Sequence, residues 1–206
     1  MAEESRFCTK PNYVKSARTD RMLTAKRLRQ ENIAEYLLYM WQLEDIIRAS
    51  KFNIDTISRQ IVDNYPTDES TRAAMRQWYE DLINMMRIEG VTEKGHVQIN
   101  TNILIQLTDL HQMLLKSVKY PEYGAEFYKT LPIIVELRAK SGEEKSGEIE
   151  TCFNALYGVM LMRLQGKEIS ESTMTALTQI SRFISLLASF YHKDKIKPLF
   201  DKEDFK

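Results

Sequence analysis

Glycine and proline are scarce in this 206-residue chain, 7 and 5 in all, and a fold of many strands and tight turns needs more of both. Long apolar runs are missing too. The longest, around Phe183 to Tyr191, is broken by serines and falls well short of the roughly 18 residues that span a bilayer. The opening residues lack the apolar segment of a secretory signal. Only two cysteines occur, Cys8 and Cys152, far apart. That spacing does not make a metal-type pair and suits reduced thiols in a reducing compartment. Cytoplasm is therefore the expected location, with no membrane attachment.

Chemical signatures are equally sparse. There is no phosphate-cradling glycine loop, no GxSxG elbow and no HExxH. A di-iron bundle needs Glu-x-x-His on two helices, and the single match, Glu93 to His96, runs through Gly95 in an expected loop. No metal, no cofactor and no catalytic residue is assigned. Net charge is zero and the sequence pI is 6.9, whereas nucleic-acid-binding domains usually show a pI above about 9. Residues 1–30 do hold eight Lys or Arg against three acids, leaving a mildly acidic body; this basic start is too small to make nucleic acid the expected partner.

What the chain does have is apolar periodicity at threes and fours, the mark of amphipathic helices. Residues 1–21 lack it and read as a basic arm, either an extension or sequence upstream of a true start at Met22. A long helix is expected over Leu23 to Ala49, with Ile33, Ala34, Leu37, Met40, Trp41 and Ile47 on its stripe. A short one follows, capped by Asn53. A third is capped by Thr67 or Asp68 and runs to Glu89, with Gly90 in the position that favours a left-handed stop. A fourth spans Ile99 to Val118. A fifth starts at Pro121, and Pro132 should kink or divide it near Tyr128. A sixth, Ile149 to Leu164, carries Gly158 where another helix could approach, and Gly166 stops it. The seventh starts at Ser170 with Leu177, Ile180, Ile184 and Leu187 as its seam. Ser141 to Gly147 reads as a surface loop and residues 193–206 as a charged tail that frays. The expected fold is all-α, one bundle of about seven helices over residues 22–192.

Five charges fall on apolar faces when residues are placed at helical steps: Glu44 and Arg48 on the first helix, Glu89 on the third, Arg138 and Arg163 on the fifth and sixth. The bland account is structural ion pairing: all five sit in last turns, where a long side chain can bury its stem and reach water from the core's edge, the arginines also complementing C-terminal dipoles. The functional account is a ligand site. Glu44, Arg48, Glu89, His96 and Arg138 are its candidates, and the excess of arginine suits an anionic ligand. Glu44 and Arg48 are expected to contact each other one turn apart. A carboxylate at Glu89, on a helix C-terminus, needs a donor nearby. His111, among leucines, reads as a hydrogen-bonded core histidine before a catalytic base. Tyr39 and Ile46 face away from the main stripe and are candidates for a second buried face or a subunit contact. The leading functional expectation is an interaction or regulatory protein, with an unknown protein partner or a second copy. The alternative is an enzyme or small-ligand binder using the inward charges.

Four strings carry a family likeness: NIAEYLLYMWQLEDIIRA (Asn32 to Ala49), WYEDLINMMRIEGVTEKGHVQIN (Trp78 to Asn100), LTDLHQMLL (Leu107 to Leu115) and ETCFNALYGVMLMRLQGKEIS (Glu150 to Ser170). Over about Met22 to Tyr191 the chain resembles a domain-of-unknown-function family of short helical proteins from Bacteroides-like bacteria. The resemblance implies a helical, cytoplasmic protein and carries no activity, cofactor or site residue with it.

Overall fold

The computed structural model describes residues 21–141, 146–201 and 204. The arm expected over 1–21 lies outside them except for Arg21, as do residues 142–145 of the expected surface loop. The described residues form eight helices and no strand: α1 (Arg21–Glu31), α2 (Ile33–Ala49), α3 (Ile54–Ile57), α4 (Glu69–Ile88), α5 (Gln98–Lys116), α6 (Pro121–Ser141), α7 (Glu148–Leu164) and α8 (Glu171–Ile196). The fold is all-α, as the periodicity requires.

The eighth helix arises because the long first helix is two. Asn32 is extended at φ −152°, and its side chain accepts from the amides of Ala34 and Glu35. The Asn32 side-chain Nδ2 in turn donates to the Glu35 carboxylate at 3.1 Å, which holds the capping side chain in place. Asparagine offers the backbone this alternative to continuing the helix, which apolar periodicity alone does not reveal. Asn53, Asp68 and Ser170 cap α3, α4 and α8 in the same way. After Ile57 the backbone widens into a π-helical turn, Ser58–Val62.

Helix ends follow one motif three times. After α2, α4 and α7, the residue at the left-handed position and its successor donate back to the last turn: Lys51 to Arg48 and Phe52 to Ile47, Gly90 to Arg87 and Val91 to Met86, Gly166 to Arg163 and Lys167 to Met162. Two of the three use glycine, at φ +70° and +67°. The third places Lys51 at φ +51° and Phe52 at +58°, a region that costs a side-chain-bearing residue free energy.

The helices divide into two compact units, with the boundary inside α5 between Ile103 and Leu104. In the N-terminal unit, α1 packs on α2 and α4, and α3 packs on α4. Leu37, Leu43, Ile47, Ile57, Met75, Tyr79 and Met86 fill its core. In the C-terminal unit, α6, α7 and α8 pack on one another around Tyr123, Ile134, Phe153, Ile180, Phe183 and Leu187.

Three local expectations are corrected. Of the two outcomes expected of Pro132, a kink or a division, the division does not occur: α6 is continuous across it. Pro132 and Tyr128 are exposed, so the carbonyl that proline deprives of a donor can be hydrated. Gly158 approaches no helix, because a Cβ there would meet nothing within 4 Å. Helix α8 does not end at His192. Helix α8 continues to Ile196, the Tyr191 hydroxyl donates to Gln106 at 2.9 Å, the Leu199 amide donates to Asp194 at 3.0 Å, and Lys119 pairs with Asp204.

Candidate functional site

Among the described residues Glu44 is the most deeply buried charge, 1 % exposed. Helix α2 aims it at the Gly90–Val97 loop and the start of α5, where the first amides of a helix have no intrahelical acceptor. One carboxylate oxygen accepts from the Val97 amide at 3.1 Å and from Asn100 Nδ2 at 2.8 Å. The other accepts from His96 Nδ1 at 2.5 Å. The His96 ring stacks on Trp41, centroids 4.1 Å apart and planes within 9°, and keeps 30 % of its side chain in solvent. A negative group at a helix N-terminus is favoured by the dipole and by the unpaired N–H groups, which is why this carboxylate tolerates burial.

Glu89 serves the same end. It lies at the C-cap of α4, and its carboxylate accepts from the Gln98 amide at 2.5 Å. The donor required there is thus the first turn of α5. Two carboxylates, from α2 and α4, hold two successive amides, Val97 and Gln98.

Arg48 completes the arrangement with the opposite polarity. Its guanidinium donates to the carbonyls of Val91, at 3.1 Å, and Gly95, and pairs with Asp45 at 2.8 Å. The expected Glu44 to Arg48 contact is not made. Each side chain reaches past the other to loop and helix groups, because backbone donors and acceptors of the 90–97 turn lie nearer than the neighbouring charge. Gly95, at φ +86°, lets the turn fold back so that its carbonyls face Arg48.

The five inward charges are therefore reduced. Glu44 is buried and Arg48 half-buried, whereas Glu89 and Arg163 are exposed, Arg163 contacting Met174 Sδ at 3.2 Å. Both sit in last turns, where a long side chain curls to water. Arg138 belongs to the C-terminal unit: it donates to Thr151 Oγ1 at 3.2 Å and lies 3.9 Å from Glu148, tying the end of α6 to the start of α7. Glu44, Arg48, Glu89 and His96 are brought together; Arg138 has a separate task. Asn100, missed from the sequence, is the further member. Its Oδ1 is buried without a hydrogen-bond donor among the described residues.

A second polar group lies in the C-terminal core. His111 is fully buried, with Nδ1 2.7 Å from the Tyr123 hydroxyl and the rings of Phe127 and Phe183 edge-on to it. Burial lowers its pKa from 6.5 to about 4, with Glu148 opposing weakly, so the imidazole is neutral at pH 7. Burial likewise raises the Tyr123 phenol, helped by Cys152. It pushes the Cys152 thiol up to about 12, with Arg138 pulling the other way. A thiol held neutral is neither a nucleophile nor a metal ligand at pH 7. His111 is thus the core histidine expected.

The remaining feature is on the surface. Helix α6 buries Tyr123, Phe127, Thr130 and Ile134. Ala125, Tyr128, Pro132, Val135 and Ala139 are all exposed, Tyr128 by 67 % and Val135 by 56 %. At about 100° per residue, these five form one narrow apolar stripe roughly 150° from the buried face. Alternating spacings of three and four are those of a coiled-coil seam. Reading one stripe per helix hides it, since the sequence carries two stripes, separated on one side by Glu122, Lys129, Glu136 and Lys140.

Among the described residues no three His, Cys, Asp or Glu side chains gather as a metal site, and no helix is long and apolar enough to cross a membrane. No curated protein and no solved structure matches the chain. A family model does match, over residues 22–197, spanning the start of α1 to the residue after α8 and containing all four strings singled out above. The chain belongs to the domain-of-unknown-function family DUF4924.

Proposed function

We propose that this chain is a cytoplasmic bacterial interaction protein that works through the outer face of α6. The observation that carries the reading is the exposed stripe Ala125, Tyr128, Pro132, Val135 and Ala139. A contiguous apolar seam at heptad spacing costs solubility, and on a folded surface it commonly marks a docking face. The inward charges support the same reading by being occupied. Both Glu44 oxygens accept from loop or helix donors, and the Arg48 terminal nitrogens are taken by two carbonyls and Asp45. An anionic ligand would have to displace those carbonyls.

The test is to replace Tyr128 and Val135 together by serine in the cells that make the protein. Both side chains stand largely in water, so the melting temperature should hold within a few degrees. After chemical crosslinking in the intact cells, which fixes weak complexes before dilution, gel filtration of clarified extract should show the wild-type chain in a species larger than the free chain and the variant as the free chain. Wild-type protein that elutes as the free chain in extract would contradict the proposal.

A further inference from the structure

We propose that the occupant of the α6 seam is a second copy of this chain, its α6 running antiparallel to the first. This rests on the reading of α6 as the docking face and adds the identity of the partner.

The seam spans Ala125 to Ala139, about 21 Å of helix. Antiparallel seams stack in alternating layers. Setting Pro132 of one copy against Val135 of the other also sets Tyr128 against Ala139, a large side chain against a small one, and the two-fold axis repeats both layers. No second patch on the molecule is required, and the assembly closes as a dimer with no free end.

Charge selects this arrangement. Lys129 and Glu136 border the seam on the same side, both well exposed. In the antiparallel register defined by those layers, Lys129 of one copy falls beside Glu136 of the other, and symmetry makes the pair twice. Parallel helices would instead bring Lys129 opposite Gly124 and Glu136 opposite Leu131, with no pairing at either. In the single chain Lys129 contacts Glu126 at 3.4 Å and Glu136 contacts Lys140 at 2.6 Å. These are solvated pairs within one helix, weak enough to exchange for contacts across an interface. Lys140 and Glu122, further round on the same flank and exposed, keep the edge of the seam polar.

The dimer is weak. One seam of four turns lies at or below the lower end of the roughly 1,200–2,000 Å² buried in stable complexes. The Tyr128 carbonyl, freed by Pro132, also keeps water near the centre of the interface. Micromolar dissociation is the expected range.

Sedimentation velocity of the purified full chain, from low micromolar to several hundred micromolar, tests this. The wild-type sedimentation coefficient should rise with concentration towards that of a dimer. Lys129→Glu and Glu136→Lys should each weaken association about tenfold, since each puts like charges together twice. An equimolar mixture of the two single variants should associate as the wild type does, because both intermolecular pairs are then opposite in sign. All four positions used here and above are exposed, so circular dichroism should show every variant folded. A wild-type chain that stays monomeric at every concentration overturns self-association. If the seam-dependent complex nevertheless persists in extract, another protein is the occupant and the docking face stands. A dimer indifferent to both charge reversals, or one the mixture fails to restore, overturns the antiparallel pairing.

Discussion

Glu44 and His96, 52 residues apart, are joined by a 2.5 Å hydrogen bond that fastens the turn before α5 to the middle of the N-terminal core. Removing Glu44 strips the acceptor from the Val97 amide and from Asn100 at once. Glu44→Ala should therefore cost about 3 to 5 kcal/mol in urea unfolding, since two buried donors lose a charged partner. Glu44→Gln, which keeps one carbonyl oxygen, should cost less.

Arg48→Met should cost only about 1 to 2 kcal/mol, because it removes hydrogen bonds to two carbonyls that water can reach and leaves Glu44 fully satisfied. A loss as large as that of Glu44→Ala would mean that the two side chains depend on each other after all.

Lys51→Gly should stabilise the chain by about 0.5 to 1 kcal/mol. Lys51 occupies the left-handed position of the helix stop after α2 at φ +51°, where the equivalent stops after α4 and α7 use Gly90 and Gly166. Glycine relieves the strain but gains freedom in the unfolded chain, so the net effect is modest. An unchanged or lowered urea midpoint would show that the lysine is unstrained there.

His111 should make stability fall with acid in a defined window. Its folded pKa of about 4 lies below the ordinary 6.5, so between those values the unfolded chain binds the proton and the folded chain does not. Stability is complete above pH 6.5, declines as pH falls towards 4, and loses nothing further from this residue below that. The loss should reach about 2 kcal/mol by pH 4.5. In His111→Phe the difference between urea midpoints at pH 7 and pH 4.5 should shrink accordingly; an identical difference would mean that the imidazole is not buried neutral.

Much of this was legible in the residues. Periodicity located every long helix, Gly90 and Gly166 marked their stops, and His111 was recognisable as a core histidine from the leucines around it. The break at Asn32 was not, because an asparagine inside an apolar period is compatible with both a helix and a cap until its own backbone angles are known. Glu44 was placed inward correctly, but its partners come from a turn whose path depends on Gly95, and a helical projection offers only neighbours on the same helix. Glu89 and Arg163 project onto apolar faces yet are exposed, as the last-turn account allows: there the backbone ends and a long side chain reaches water. The α6 seam was readable in principle from Ala125, Tyr128, Pro132, Val135 and Ala139, but only burial tells which of two apolar stripes the core takes.

The proposal that the outer face of α6 is the working surface, and the Glu44 clasp is architecture, is tested most directly by photo-crosslinking in living cells. A photoreactive phenylalanine analogue would replace Tyr128 in one strain and Lys94, exposed on the clasped turn, in another. The expected result is one discrete protein adduct from position 128 and none from position 94. An adduct or a ligand captured from position 94 alone, with position 128 silent, would contradict it.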